Sequence, residues 1–186
     1  MDKAEIEAAV KRLLKAIGEN PQREGLRNTP RRVAEMYQEI FGGICADPRK
    51  QLQVFSTKNQ DEMILVRDVP FYSICEHHLM PFFGVAHVAY IPDNNRITGF
   101  SSLVKVLEAM AKRPQLQERL TTEVADTIME VLQPKGVLVV VEAEHLCMTM
   151  RGVKKPGSVT TTSAMRGVMR NEATRAEAFF LIKGHK

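Results

Sequence analysis

The chain has 186 residues, with 26 Lys and Arg against 22 Asp and Glu, a formal net charge of +4, and 44% hydrophobic residues. A chain this long folds as about one domain and buries roughly 70% of the surface its unfolded form exposes, without disulfide staples. It has no run of 18 apolar residues, and residues 1–15 form a charged amphipathic stretch rather than a signal peptide. Transmembrane, collagenous, disordered and secreted disulfide-rich classes are thereby excluded. Three cysteines, Cys45, Cys75 and Cys147, make no disulfide framework in a chain read as cytoplasmic. Basic and acidic residues alternate along the chain, so a small anionic ligand explains the excess charge as well as a nucleic acid does.

In chain order, Ile6, Val10, Leu13, Leu14 and Ile17 follow a helical period, with Asp2 as cap and Gly18 as stop. A turn-rich link, 19–28, leads to Thr29-Pro30, an N-cap and first helical residue that open a second helix with Val33, Met36, Tyr37, Ile40 and Phe41 on one face. Residues 42–61 carry Gly, Pro and mixed polar groups and read as a linker. This divides the chain into an N-terminal helical region and linker, 1–61, and a strand-bearing region, 62–186, within one functional domain overall.

From residue 62 the period changes to that of strands, over 63–69 and 82–91, with a turn at 92–95. Helices follow over about 101–112 and 114–132. Gly136 opens a buried strand at 137–141, and a fourth strand is read over 145–153. A helix over 172–182 closes the chain. The plan is α+β: two helices, then β-β-α-α-β-β, then a helix.

Cys75-Glu76-His77-His78 places a thiolate and an imidazole at a spacing that suits one zinc. Two ligands do not make a site, and a buried thiol beside packed histidines explains this segment equally well. The second segment is His145-Leu146-Cys147-Met148-Thr149-Met150-Arg151. Read as a strand, it puts His145, Cys147, Thr149 and Arg151 on one face and the apolar residues on the other. Cys75, His78 and Cys147 together give a Cys2His set with an open fourth position, the ligand count of a catalytic zinc. His77 and His145 remain free beside it, and an activated water with two nearby imidazoles is a hydrolytic arrangement. His87 and His185 have no such company and read as structural or tail residues.

Cys75-Glu76-His77-His78, the Gln-Glu-Arg-Leu-Thr of 117–121, the His-x-Cys-x-x-x-Arg-Gly of 145–152, the segment 24–32 and the Thr160-Thr161-Thr162-Ser163 run closely resemble type I GTP cyclohydrolase, over about residues 5–182. The resemblance implies the tunnelling fold, an antiparallel β-β-α-α-β-β sheet with two helices on one face, whose subunits join into rings. It implies a homodecamer of two pentameric rings with active sites between subunits. It implies zinc at Cys75, His78 and Cys147, and water attack on C8 of GTP. Formate release and ribose rearrangement then give 7,8-dihydroneopterin triphosphate, the first step of folate or pterin biosynthesis. His77 and His145 would transfer protons. Gln117 and Glu118 would read guanine, Ser101 would position the purine, and Arg151, Lys105 and Arg32 would bind phosphates. No nucleic-acid or membrane partner is implied.

The chain departs from many members by Ser102 in place of a lysine, and from some by Glu35 in place of a lysine at a more variable position, which thins positive charge near the triphosphate. Weaker GTP binding, or compensation by Lys154 or Lys155, is the expectation. Two rivals stay open: a pterin or deazapurine enzyme on the same fold, and a zinc-stabilised nucleic-acid module.

Overall fold

A computed structural model describes residues 1–184, which leaves His185 outside the described residues. The chain divides into two compact units, Met1–Gly42 and Gly43–Lys186. Residues 43–61, read as linker, therefore fall in the second unit.

The first unit is a helix pair. In α1 (Lys3–Ala16) the Asp2 carboxylate accepts from the Glu5 backbone N–H at 3.1 Å, as the sequence suggested. Leu14 is buried, while Leu13 and Ile17 are 59% and 65% exposed. The second helix, α2 (Thr29–Ile40), begins one residue earlier than expected: Thr29 is its first helical residue and Asn28 holds the N-cap position without a side-chain cap bond, with Pro30 in the first turn and Ala34 buried. On its surface Arg31 pairs with Glu35 at 2.7 Å.

The second unit is built on a five-stranded sheet in the order β5-β2-β3-β6-β7. Its members are β2 (Ile64–Cys75), β3 (Pro81–Ile91), β5 (Pro114–Gln115), β6 (Gly136–His145) and β7 (Val159–Gly167). The long strands pair antiparallel, and β5 adds parallel to the end of β2, with Ile74 opposite Pro114 and Cys75 opposite Gln115. A separate ribbon pairs β1 (Val54–Ser56) with β4 (Arg96–Thr98).

Sidedness explains the sequence pattern. One face carries Phe82, Val88, Tyr90, Val137, Val139 and Val141. These pack with Leu103 and Leu107 of α3 (Phe100–Ala111) and with Leu120, Val124 and Ile128 of α4 (Gln117–Leu132). On the other face Ala89, Leu138 and Val140 pack with Met169 and with Ala178 of the last helix, α6 (Glu172–Lys183). The unbroken apolar run of β6 is thus buried on both faces. His87 is buried as well, and its Nδ1 accepts from the Asp68 N–H at 3.2 Å, where the β2–β3 register shifts between Val66 and Val69.

The expected strand over 145–153 is not formed. After His145 the chain makes one helical turn, α5 (Leu146–Thr149), and the fourth long strand is β7. The β3–β6 ladder runs out at the pair Phe82–His145. Beyond it no neighbouring strand offers hydrogen-bond partners, so the backbone closes its bonds locally. The β-branched run Val159 to Thr162 takes the strand instead. The shared-face argument for His145, Cys147, Thr149 and Arg151 falls with that strand. The helix read from 114 begins at 117, because residues 114 and 115 are held against β2.

Candidate metal centre

The metal-ligating types converge although they come from different local structures. Cys75 is the last residue of β2 and 6% exposed. The chain then turns, with the Leu79 N–H donating to the Cys75 carbonyl at 2.9 Å and the Cys75 N–H donating to the Met80 carbonyl at 2.8 Å. Closing this turn holds Leu79 at φ 51°, a left-handed conformation that leucine seldom adopts. His77 and His78 are exposed on the turn, their rings edge to face at 6.2 Å. Cys147 arrives from α5, the turn that replaced the expected strand.

One ligand atom each from Cys75, His78 and Cys147 lies within 4.8 Å of the other two, so the trio can hold a metal ion. Tetrahedral bonding at about 2.3 Å to sulfur and about 2.0 Å to nitrogen spaces ligands about 3.5–3.8 Å apart, so a small closure completes the geometry. The electrostatics also fit. Burial and the neighbouring Cys75 thiol push the Cys147 thiol above its ordinary pKa, against the pull of Arg151. A divalent cation between the sulfurs reverses that balance. The Arg151 Nη1 lies 3.0 Å from His78 Nε2. A guanidinium only donates, so that nitrogen presents its lone pair there, and a metal at the same nitrogen displaces the contact.

Beside the trio lies a cleft of about 200 Å³ lined by Cys75, His77, Gln117, Glu118, His145 and Cys147, among others. His145 stacks face to face on Phe82, with centroids 4.7 Å apart and planes 1° from parallel. Burial lowers its pKa below the usual imidazole value, while the Glu118 carboxylate pulls the other way. Its Nε2 is 2.7 Å from Gln117 Oε1.

The Gln117 amide is 1% exposed at residue level, and its Nε2 donates to the carbonyls of Val141 at 3.0 Å and Thr160 at 2.9 Å, and to Thr162 Oγ1 at 3.2 Å. Two backbone carbonyls on one side fix which end of the amide is NH2, so the oxygen must face His145, and His145 Nε2 must be the donor. Thr121 Oγ1 lies 2.6 Å from Thr162 Oγ1 and completes the network. Thr121 and Thr162 lie in the 117–121 and 160–163 motifs of the sequence, which assign neither of them a role; the structure places both in this network.

Other expected site residues lie elsewhere. Ser101 and Lys105 are exposed on α3 and do not line this cleft, whereas Arg151, exposed after α5 and also outside the cleft lining, touches His78 of the trio. Ser102, 6% exposed, is buried in the first turn of α3. Arg32 and Glu35 are exposed on α2 in the first unit. Cys45 is an exposed free thiol. No helix among the described residues is long and apolar enough to cross a membrane.

Two thiols and an imidazole that could hold a metal ion, with two more imidazoles and a carboxylate at the adjoining cleft, are the donor and acid–base groups of a hydrolytic enzyme. Residues 6–183 match the profile of GTP cyclohydrolase I. The chain is 64% identical over 184 residues to a GTP cyclohydrolase 1 of Pelotomaculum thermopropionicum, covering 98% of each chain. It is 61% identical to the GTP cyclohydrolase 1 of Carboxydothermus hydrogenoformans, over 100% of this chain and 97% of the other. It is also 61% identical to that of Clostridioides difficile, over 98% and 97%. The chain belongs to the GTP cyclohydrolase I family.

Proposed function

We infer that the chain hydrolyses and rearranges GTP to 7,8-dihydroneopterin triphosphate with release of formate, using zinc held by Cys75, His78 and Cys147. The observation that carries this is the convergence of those three ligand atoms within 4.8 Å at the edge of a cleft that also presents His77, Glu118 and His145. Two sulfurs and one imidazole are a donor set that suits zinc. When bound, zinc supplies a Lewis acid that activates water for attack at C8 of guanine.

The chain's own residues do the rest. Gln117 holds the Nε2–H of His145, which leaves Nδ1 of a neutral ring as the site that takes up a proton. His77, exposed on the turn, is the second proton-transfer group. Glu118 accepts from N1–H and the 2-amino group of guanine, a paired contact that only a carboxylate makes with both donors. In this reading Gln117 orients His145 and does not itself read the base, since its amide is occupied within the chain. Arg151 binds triphosphate oxygens through its guanidinium fork.

The same reading extends to a tunnelling fold assembled as a homodecamer of two pentameric rings in the cytoplasm. Strand β7 ends the sheet, and closing a ring covers such an edge. Ser101, Lys105 and Arg32 then complete clefts between copies, with Ser101 positioning the purine and the two cations binding phosphate. Incubation with GTP tests the reaction: formate and a pterin that fluoresces on oxidation should appear together. A pterin or deazapurine enzyme of the same fold would leave GTP intact.

A further inference from the structure

We propose that the ion pair between Glu76 and Arg119 is a positioning device, which ties the metal-holding turn to the helix start that carries Glu118, so that metal affinity and GTP affinity depend on one shared contact. The metal half rests on the geometry of the trio alone, and the GTP half rests on the proposed function.

Glu76 lies between the ligand Cys75 and the pair His77-His78, and Arg119 follows Glu118 in the first turn of α4. The two side chains meet across 43 residues of sequence in a bidentate contact, Nη1 to Oε2 at 2.6 Å and Nη2 to Oε1 at 3.0 Å. The planar fork on a planar carboxylate fixes orientation as well as distance. Beneath it the Glu76 N–H donates to the Gln115 carbonyl at 3.1 Å. Gln115 is fully buried, and its Nε2 is held by the Met110 carbonyl and Glu123 while its Oε1 accepts from the Leu116 N–H. The pair therefore ties the turn to the start of α4, beside a buried and fully hydrogen-bonded Gln115.

The three ligands depend on this tie unequally. Cys75 is fixed by the sheet ladder and Cys147 by its own helical turn. His78 is exposed on the 76–79 turn, which the Glu76 side chain ties to α4 in addition to the backbone bonds of Glu76 to Gln115 and of Leu79 to Cys75. An exposed ion pair adds little to global stability. Its effect here is on the position of one ligand and two imidazoles, where small displacements matter.

The test uses the full chain with Glu76→Gln, Arg119→Ala, Arg119→Lys and the double variant Glu76→Gln/Arg119→Ala. Affinity for Co2+ and Zn2+ is read by competition with a chromophoric chelator in the absence of GTP, and unfolding temperature is read alongside. Groups that support metal ligands typically change affinity about 10–100-fold when lost, so each single variant should weaken metal binding about tenfold. The double variant should lose no more than the worse single, and Arg119→Lys should fall between. The Co2+–thiolate absorption should shift, the unfolding temperature should stay nearly constant, and the KM for GTP at saturating metal should rise.

Unchanged metal affinity in the isosteric Glu76→Gln overturns the proposal, even if Arg119→Ala fails to fold. So does a loss in the double variant equal to the product of the singles, or an unchanged KM where metal binding has weakened. If the unaltered chain leaves GTP intact, the functional reading fails, while the chelator competition still judges the metal half.

Discussion

Replacing Gln117 by leucine separates two roles that the same side chain could serve. The substitution removes an amide that is 1% exposed at residue level and bonded to Val141 O, Thr160 O, Thr162 Oγ1 and His145 Nε2. Thr162 keeps Thr121 at 2.6 Å, so two carbonyls and one imidazole N–H lose a buried contact. At about 1 kcal/mol for each net hydrogen bond, and more where a group is left unpaired, the loss comes to about 2–4 kcal/mol. A chain of this size shifts its unfolding temperature by about 2–4 °C per kcal/mol, so a drop of about 5–15 °C is expected in calorimetry at fixed protein concentration.

Kinetics then read the role. With His145 released from its acceptor, kcat should fall tenfold or more, because a positioned acid–base group contributes about 100- to 10,000-fold. The KM for GTP should stay within a few-fold. An unfolding temperature that moves by less than about 1 °C, with KM raised and kcat kept, would mean that the amide is free to read guanine and does not orient His145.

Glu118→Gln removes the charge from the guanine contact, and a charge-assisted bond contributes about 1.5–3 kcal/mol, so KM should rise about 10- to 100-fold. Discrimination against the triphosphate analogue lacking the 2-amino group should shrink in the same variant, as competition assays would read. Gly84→Ala puts a Cβ 1.9 Å from the Glu142 carbonyl oxygen and 2.7 Å from Ala143 Cα, both backbone atoms of the neighbouring strand. Relief requires prising β3 from β6, and a loss of about 3 kcal/mol or more is expected in denaturant unfolding. Thiol reagents should modify Cys45 in the metal-loaded protein, and Cys45 plus Cys147 after chelation, with the buried Cys75 slower in both. Equal labelling with and without metal would contradict the assigned trio.

The ligand trio was legible because its chemistry is local: Cys75 and His78 are three residues apart, and Cys147 sits between His145 and Arg151. The geometry that unites them was not. Whether 145–153 continues as a strand depends on where β3 ends, which is a property of the partner strand and not of the segment itself. The same holds for β1 and β4, whose three-residue pairing within and beyond an apparent linker has no period to read. The continuous apolar run 137–141 was readable as buried, and the structure adds that α4 covers one of its faces and α6 the other. The Glu76–Arg119 pair and the Gln117 network stayed hidden for a different reason. Charged and amide residues at a helix start look solvent-facing until the opposing element is known.

On the proposed function, a metal held by Cys75, His78 and Cys147 drives GTP turnover in the cleft beside His145. The decisive measurement is formate release from GTP before chelation, after exhaustive chelation and after return of Zn2+, with Cys147→Ala run in parallel. Turnover should vanish with chelator, return with Zn2+, and be absent from Cys147→Ala under all three conditions. Full turnover in chelator, or in the Cys147→Ala variant, would contradict the proposed function.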